Sequence, residues 1–431
     1  MNPVFSEFLS SLRGLDITVI GLGVSNRPLV RLLLDAGARV TVRDAKDGVF
    51  HESVTMITGE KYLDGLSGDI IFRTPGLRPD HHALLAAKAG GSRVTSEMDE
   101  FFRLCPCPVI GVTGSDGKTT TTTLIAEILR AGGYRVHLGG NIGNPLLCGA
   151  GDMSPEDIAV VELSSFQMTD MTRSPHRAVI TNITPNHLNW HRDMDEYIAS
   201  KRVILDHQDT DGLAVLNAGN PVTAAMRGNG RTVYFGSHLI KDGIIRGFLP
   251  VSSIRLTGYY QIENIMAAIT ASDGLATEDA VRGAVEGFTG VPHRNEYIAT
   301  VNGVRYYNNS IGSSPARTAA TLPAHDGPVL LIAGGRGKKT PFDDLCEIFP
   351  KHVKRLYLIG EAAGDIEAAA RKVTDAPPIE RCEGLEEAVL RAGAAAKTGD
   401  TVLLSPACTA FDMYANFEER GNHFREIVKK L

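Results

Sequence analysis

The chain has 431 residues, 43% of them hydrophobic and 22% charged, with a formal net charge of −6. That length calls for more than one core, the composition is that of an ordinary soluble globular protein, and the acidic balance gives no electrostatic reason for a nucleic-acid partner. The six cysteines make neither a disulfide framework nor a zinc site, Cys105 and Cys107 being only two apart, and they read as reduced thiols. Met1 to Glu7 lacks the basic and apolar regions of a signal peptide, and no apolar stretch approaches a membrane span, so the expectation is a cytoplasmic protein with no membrane partner.

Taken in order, residues 15–44 read as a strand–helix–strand unit. Ile17–Ile20 is a strand, Gly21-Leu22-Gly23 a tight turn, Pro28–Asp35 a helix, and Ala38–Val42 a second strand ending at Asp44. The turn suits a phosphate, and Asp44 is placed to meet a ribose or base. Asn26 stands where a dinucleotide fingerprint wants its third glycine, so a nicotinamide or flavin cofactor stays only an alternative. Asp69–Phe72 is a further strand running into Arg73-Thr74-Pro75-Gly76. Ser96 to Glu100 opens the connection to the next domain.

The most informative stretch follows. Val109 and Ile110 lead into Gly111-Val112-Thr113-Gly114-Ser115-Asp116-Gly117-Lys118-Thr119-Thr120, and a helical pattern with Leu124, Ile125, Ile128 and Leu129 on one face comes after it. Strand, glycine loop and helix is the arrangement in which backbone N–H groups and a helix start wrap a polyphosphate. Lys118 would meet the outer phosphates and Thr119 would hold Mg²⁺. The usual spacing wants glycine at Val112; here the glycines fall at every third position.

Strands and helices then alternate to about residue 300, which implies a mostly parallel sheet with ligands at the carboxyl ends of its strands. Ile158–Val161 ends in Glu162, followed by Leu163 to Gln167. Ala178–Ile180 runs into Thr181 to His187, and Met194–Leu205 is a helix carrying Lys201. Glu162 and His187 are plausible oxygen and nitrogen metal ligands, or else a satisfied strand-end carboxylate and a surface histidine. On its chemistry alone Lys201 reads as a solvated helix lysine. Gly258–Ala271 is a helix with Asn264 on it, and Val291 to Glu296 closes the domain. Arg294 could pair with a phosphate or a surface acid. In the last third Val329–Ala333 runs into the basic, glycine-rich Gly334 to Lys338, Arg355–Ile359 is a strand, and Thr401–Leu404 runs into Ser405 to Cys408. Lys338 reads equally as an anion contact or a solvated turn lysine.

Together these stretches resemble the Mur ligase family, the ATP-dependent amide-bond ligases of bacterial peptidoglycan precursor synthesis. That family's loop has glycines at every third residue before Gly-Lys-Thr. The likeness is greatest to its D-glutamate-adding members, on Glu162-Leu163-Ser164-Ser165-Phe166-Gln167, Pro292-His293-Arg294, and Leu404 to Asp412 continued through Asn416 to Gly421. The resemblance implies three consecutive α/β domains, at 1–100, 101–300 and 301–431: a Rossmann-like domain for a uridine nucleotide, a P-loop domain for ATP, and a domain that closes over them with the amino acid. The substrates implied are ATP, D-glutamate and UDP-N-acetylmuramoyl-L-alanine, handled by a monomer.

Site residues are implied in the same way. Lys118, Glu162, His187 and Lys201 would form the catalytic centre. Two Mg²⁺ are expected, one on Thr119 and Glu162, the other on His187 and a carbamylated Lys201. ATP would meet Gly114, Ser115, Asp116, Gly117, Lys118, Thr119, Thr120, Asn264, Arg294 and Asn309. The sugar nucleotide would meet Gly23, Val24, Ser25, Asp44, Thr74, Asn141 and Ser164, and D-glutamate would meet Ser313, Lys338, Ala410, Phe411 and Phe417. Asn309 and Ile311 stand where the family often has an acid and a base, Gln261 where it often has asparagine, and Ala410 where it often has serine. Rival readings are another amino-acid-adding member, folylpolyglutamate synthase, or a P-loop kinase or NTPase. The last two leave the N-terminal domain unexplained.

Overall fold

The structure is a computed structural model that describes all residues except Met1, Val24, 47–53, Asn189, Thr257 and 338–339. The chain divides into two compact units, Met1–Gly287 and Phe288–Leu431.

The first unit carries two parallel sheets. One runs in the order Thr55–Thr58, Arg39–Asp44, Asp16–Ile20, Ile70–Phe72, Arg93–Thr95. The other runs Arg231–Phe235, Leu213–Asn217, Arg177–Ile180, Val109–Thr113, Ile158–Glu162, Val136–Gly140. Val109–Thr113 and Ile158–Glu162 are buried at every residue, as parallel strands covered on both faces require, and the first runs on past Ile110 through Gly111 to Thr113, so the loop begins at Gly114. Asp16–Ile20 and Ile70–Phe72 lie side by side at the point where strand order reverses, so the turns after them are neighbours. A Cβ on Gly21 would come within 3.0 Å of Thr74, which together with its φ of 79° keeps that position glycine.

One apolar core runs through both sheets. The helix Glu97–Leu104, capped by Ser96 accepting from the Asp99 N–H, contributes Met98, Phe101 and Leu104 to it. The core joins Val19, Val42 and Phe72 of the first sheet to Val161, Ile180 and Leu216 of the second. The helix starts at Asn26 rather than Pro28, because the buried Asn26 amide donates to the carbonyls of Ile20 and Gly21 at 3.0 and 2.9 Å. The residue that breaks the dinucleotide fingerprint thus clamps the turn.

The second unit is a mixed sheet in the order Glu296–Val301, Val304–Asn308, Thr401–Leu404, Val329–Gly334, Val353–Ile359, Ile379–Arg381, antiparallel only in its first pair. Its C-terminal helix, Phe417–Val428, is capped by the Asn416 side chain accepting from the Glu419 N–H. Among the described residues no helix is long and apolar enough to cross a membrane.

Candidate active site

The glycine spacing has a steric cause. At Gly111 a Cβ would fall 2.7 Å from Pro175, at Gly114 1.9 Å from Thr181 Oγ1, and at Gly117 2.1 Å from Asn264 Oδ1. Gly114 and Gly117 also have φ of 152° and 78°, so no side chain fits there for two independent reasons. The loop is stitched to the next strand end. Ser115 N–H donates to Asn182 O, Asp116 N–H to Asn182 Oδ1 at 2.9 Å, and Thr181 Oγ1 to Asp116 O at 2.6 Å. Ser115 Oγ donates to Thr184 O and lies 3.0 Å from the Tyr197 hydroxyl.

Two lysines converge on one carbonyl. Lys118 Nζ donates to Gly114 O at 2.9 Å and Ser115 O at 2.8 Å. Lys201, on the helix Met194–Asp206, donates to the same Gly114 O at 2.8 Å and to Thr113 Oγ1 at 3.3 Å. The solvated reading of Lys201 is corrected here: it is 2% exposed, because its helix face packs against the strand that feeds the loop. Burial first, and then the charge of Lys118, hold its ammonium well below the ordinary lysine range despite Asp116 and Glu162 nearby.

Glu162 ends its strand at 2% exposure. Its Oε1 accepts from the Asn141 side chain at 2.7 Å, while Oε2 is buried with no hydrogen-bond partner. A buried carboxylate oxygen of this kind is a hard donor suited to a cation or an N–H group. His187 adopts a left-handed backbone (φ 55°) and packs edge-on against Phe166 at 4.9 Å. Partial burial, and then the charge of Lys118, lower its pKa, which favours the neutral imidazole a metal needs. Thr119 and Thr120 occupy the first turn of the loop helix Lys118–Ala131. Among the described residues no three His, Cys, Asp or Glu gather closely enough to hold a metal ion by themselves. A hard cation here would complete its shell with phosphate and water oxygens.

The remaining sequence candidates fall in several places. Asn264, 5% exposed, lies against Gly117, and its amide donates to Gln261 Oε1 at 3.1 Å. Asp44 accepts from the Leu22 and Lys46 N–H groups at 2.8 and 2.9 Å, fixing the turn that carries Gly23 and Ser25. Burial raises its pKa, but these donors outweigh it and hold the carboxyl below its ordinary value. Ser164 caps the short helix Ser165–Met168 in a reciprocal box with Gln167. In the second unit Asn309 is 4% exposed and accepts from the Asn295 N–H, while its amide reaches Thr321 and Ser405. Arg294 is exposed, Ser313 half-buried, Ala410 buried and Phe411 60% exposed. Phe417 begins the C-terminal helix, and its carbonyl accepts from Ser310 Oγ at 2.8 Å. Val24 and Lys338 lie outside the described residues.

Three contributors escaped the sequence reading. Tyr197 lies one helical turn before Lys201 and puts its ring 4.8 Å from Nζ, a pairing that i, i+4 spacing could have flagged. Arg73, fully buried, pairs with Asp170 at 3.0 Å and donates to the carbonyls of Thr74 and Leu77, fixing the Thr74 turn. Arg420, also fully buried, donates to Ser310 O at 2.9 Å and to the carbonyls of Cys408 and Thr409, both at 3.2 Å. Burial pushes its pKa down to about 10. No local pattern announces a buried arginine.

Comparison with known proteins places this arrangement in a family. Residues 112–272 match the Mur ligase middle domain, and residues 293–408 the Mur ligase glutamate ligase domain. Two curated proteins named UDP-N-acetylmuramoylalanine–D-glutamate ligase are similar over their full length and the full length of this chain. That of Acetivibrio thermocellus is 42% identical and that of Clostridium kluyveri 44%. Among solved structures, MurF ligase from Thermotoga maritima in complex with ADP superposes with a TM-score of 0.55 at 18% identity, covering all of both chains. UDP-N-acetylmuramate–alanine ligase from the same organism gives 0.56 at 16% identity, covering 96% of this chain and 99% of its own. These two likenesses carry the fold of consecutive α/β domains. With its phosphate loop, its domain matches and its full-length relatives, the chain belongs to the Mur ligase family.

Proposed function

We propose that this enzyme joins D-glutamate to UDP-N-acetylmuramoyl-L-alanine at the expense of ATP, in cytoplasmic peptidoglycan precursor synthesis, acting as a monomer. The observation that carries the reading is identity of 42% and 44% along the entire chain to ligases named for that reaction. We assign the sugar nucleotide to residues 1–100, ATP to 101–300 and the amino acid to 301–431.

The chemistry follows from what a carboxylate needs. It is a poor electrophile, so the L-alanyl carboxylate first takes the γ-phosphoryl of ATP, becoming an acyl phosphate with ADP as leaving group. Loop N–H groups from Gly114 to Thr120 and the Lys118 ammonium stabilise the charge spread over the transferring oxygens. Asn264, Arg294 and Asn309 serve the nucleotide. Gly23, Ser25, Asp44, Thr74, Asn141 and Ser164, with Val24, seat the sugar nucleotide. The D-glutamate amine then attacks the acyl carbon, and the tetrahedral intermediate collapses with loss of phosphate. Ser313, Ala410, Phe411 and Phe417, with Lys338, orient that amine, which is most of the remaining catalytic task.

Magnesium, when bound, would neutralise phosphate charge, with Thr119 and Glu162 holding one ion and His187 and a carbamylated Lys201 the other. The donor set fits: Glu162 has a buried oxygen without a partner, and His187 is biased to the neutral form. Lys201 is suited to carbamylation because only a neutral amine attacks CO₂, forming the N–C bond and releasing a proton, and its surroundings favour that form.

The test is ADP release from ATP with UDP-N-acetylmuramoyl-L-alanine, offering D-glutamate, L-glutamate, L-lysine and diaminopimelate in turn. Turnover confined to D-glutamate is expected. Preference for a diamino acid would exclude the specific assignment and keep the family.

A further inference from the structure

In the first unit the loop carrying Thr74 meets the loop carrying His187 through contacts that the proposed chemistry does not use. Trp190 Nε1 donates to Gly76 O at 3.1 Å, and Arg78 Nη1 donates back to Trp190 O at 2.7 Å, its guanidinium 5.0 Å from the indole centroid. The same guanidinium reaches Glu196 through Nη2 at 2.6 Å and Nη1 at 3.2 Å, and forks onto Asp80 at 2.9 and 3.0 Å. Arg192 closes onto Asp80 from the other side. Glu196 sits in the first turn of the helix that carries Lys201 and also accepts from the Arg192 N–H at 2.6 Å.

His187 lies inside this frame. Its carbonyl accepts from the N–H groups of Trp190 and His191, both at 3.0 Å. Its left-handed backbone costs about 1 kcal/mol for a residue with a Cβ and persists only where the surroundings over-determine it. An ordinary surface ion pair would contribute too little to matter. Arg78 differs because it is held on two carboxylates, a carbonyl and a ring at once, a geometry that a planar fork can satisfy and an ammonium cannot.

We propose that Arg78 and Glu196 are a positioning couple: they set His187 against the helix of Lys201 and make that setting respond to the loop of Thr74, so that seating the sugar nucleotide tightens the phosphoryl-transfer centre. This rests on the ligase reading above for what the centre does. Neither residue touches a reacting atom.

Trp190 is the only tryptophan in the chain, so its emission reads the contact without catalysis. In the wild type, adding UDP-N-acetylmuramoyl-L-alanine alone changes Trp190 emission. In Arg78→Ala and in Glu196→Gln, which keeps the helix cap, emission of the free protein shifts to longer wavelength and the response to the sugar nucleotide is lost. kcat falls about tenfold to a hundredfold, the scale of a small misplacement, with KM for D-glutamate within about twofold. Arg78→Lys restores neither. If Arg78→Ala does not fold, Glu196→Gln carries the test. A wild type whose emission ignores the sugar nucleotide overturns the proposal, as does a folded variant in which only one of emission and kcat changes, or neither. A wild type that responds in emission but makes no ADP with D-glutamate removes the ligase reading instead.

Discussion

The Asn141 side-chain amide donates to Glu162 Oε1 at 2.7 Å and leaves Oε2 as the free lobe of the same carboxylate. One oxygen is thereby fixed so that the other is aimed, the way an outer partner orients a metal ligand. Glu162→Gln should abolish ADP formation, a loss of at least about a hundredfold, with the melting temperature preserved. Asn141→Ala should act on affinity, raising the Mg²⁺ concentration for half-maximal ADP release about tenfold. Titrating Mg²⁺ against both variants separates the two effects, and an unchanged Mg²⁺ requirement in Asn141→Ala would remove the orienting role.

The loop glycines give a second prediction. Gly114→Ala and Gly117→Ala each force a methyl group against Thr181 or Asn264 at a positive φ. Each should destabilise by about 1–3 kcal/mol and weaken nucleotide binding more than tenfold. Calorimetric ATP titration and thermal unfolding measure both, and wild-type affinity in either variant would show that the loop tolerates a Cβ.

Lys201 gives the third. Incubation with carbon-13-labelled bicarbonate should produce a carbamate carbon resonance in the wild type and none in Lys201→Arg, whose guanidinium does not add CO₂. Lys201→Ala should lose at least about a hundredfold in kcat. A fully active Lys201→Arg enzyme would exclude the modified lysine from the mechanism.

Glu97 gives a pH dependence. It is buried and accepts from the Leu147 N–H at 2.9 Å, yet burial outweighs its donors and raises its pKa to about 7. The folded state therefore holds a proton that the unfolded state has already released. Its stabilising effect is complete below the unfolded value near 4.5 and is lost as pH rises to 7, on the order of 3 kcal/mol. Glu97→Gln should flatten the stability profile across that window and be the more stable form at pH 8. Denaturant unfolding at pH 5, 6, 7 and 8 checks it.

Much of this was readable in the residues. Ile158–Val161 stands out as an apolar run ended by Glu162, and Val109 and Ile110 announce a strand before the glycines, but its continuation through Gly111 to Thr113 is hidden because those residues read as loop. The glycine loop was visible because phosphate chemistry and backbone sterics select the same residues. Val136–Gly140 and Arg231–Phe235 do not announce themselves as strands, since histidine, two glycines and an edge position blur their pattern. In the sequence Asn26 reads as a missing glycine, whereas its amide is the clamp that holds the turn. The burial of Lys201 was invisible in sequence: one lysine among the charges of an amphipathic helix is distinguished only by what packs over it.

The shared apolar core of the first unit limits how this enzyme can be taken apart. Met98, Phe101 and Leu104 belong to the one core that the two sheets share, so a fragment beginning near residue 105 would lose them, expose the apolar surface they cover and aggregate. Nucleotide-loop chemistry is therefore best studied on the intact polypeptide, because a cut between the two sheets of this unit passes through the core they hold in common.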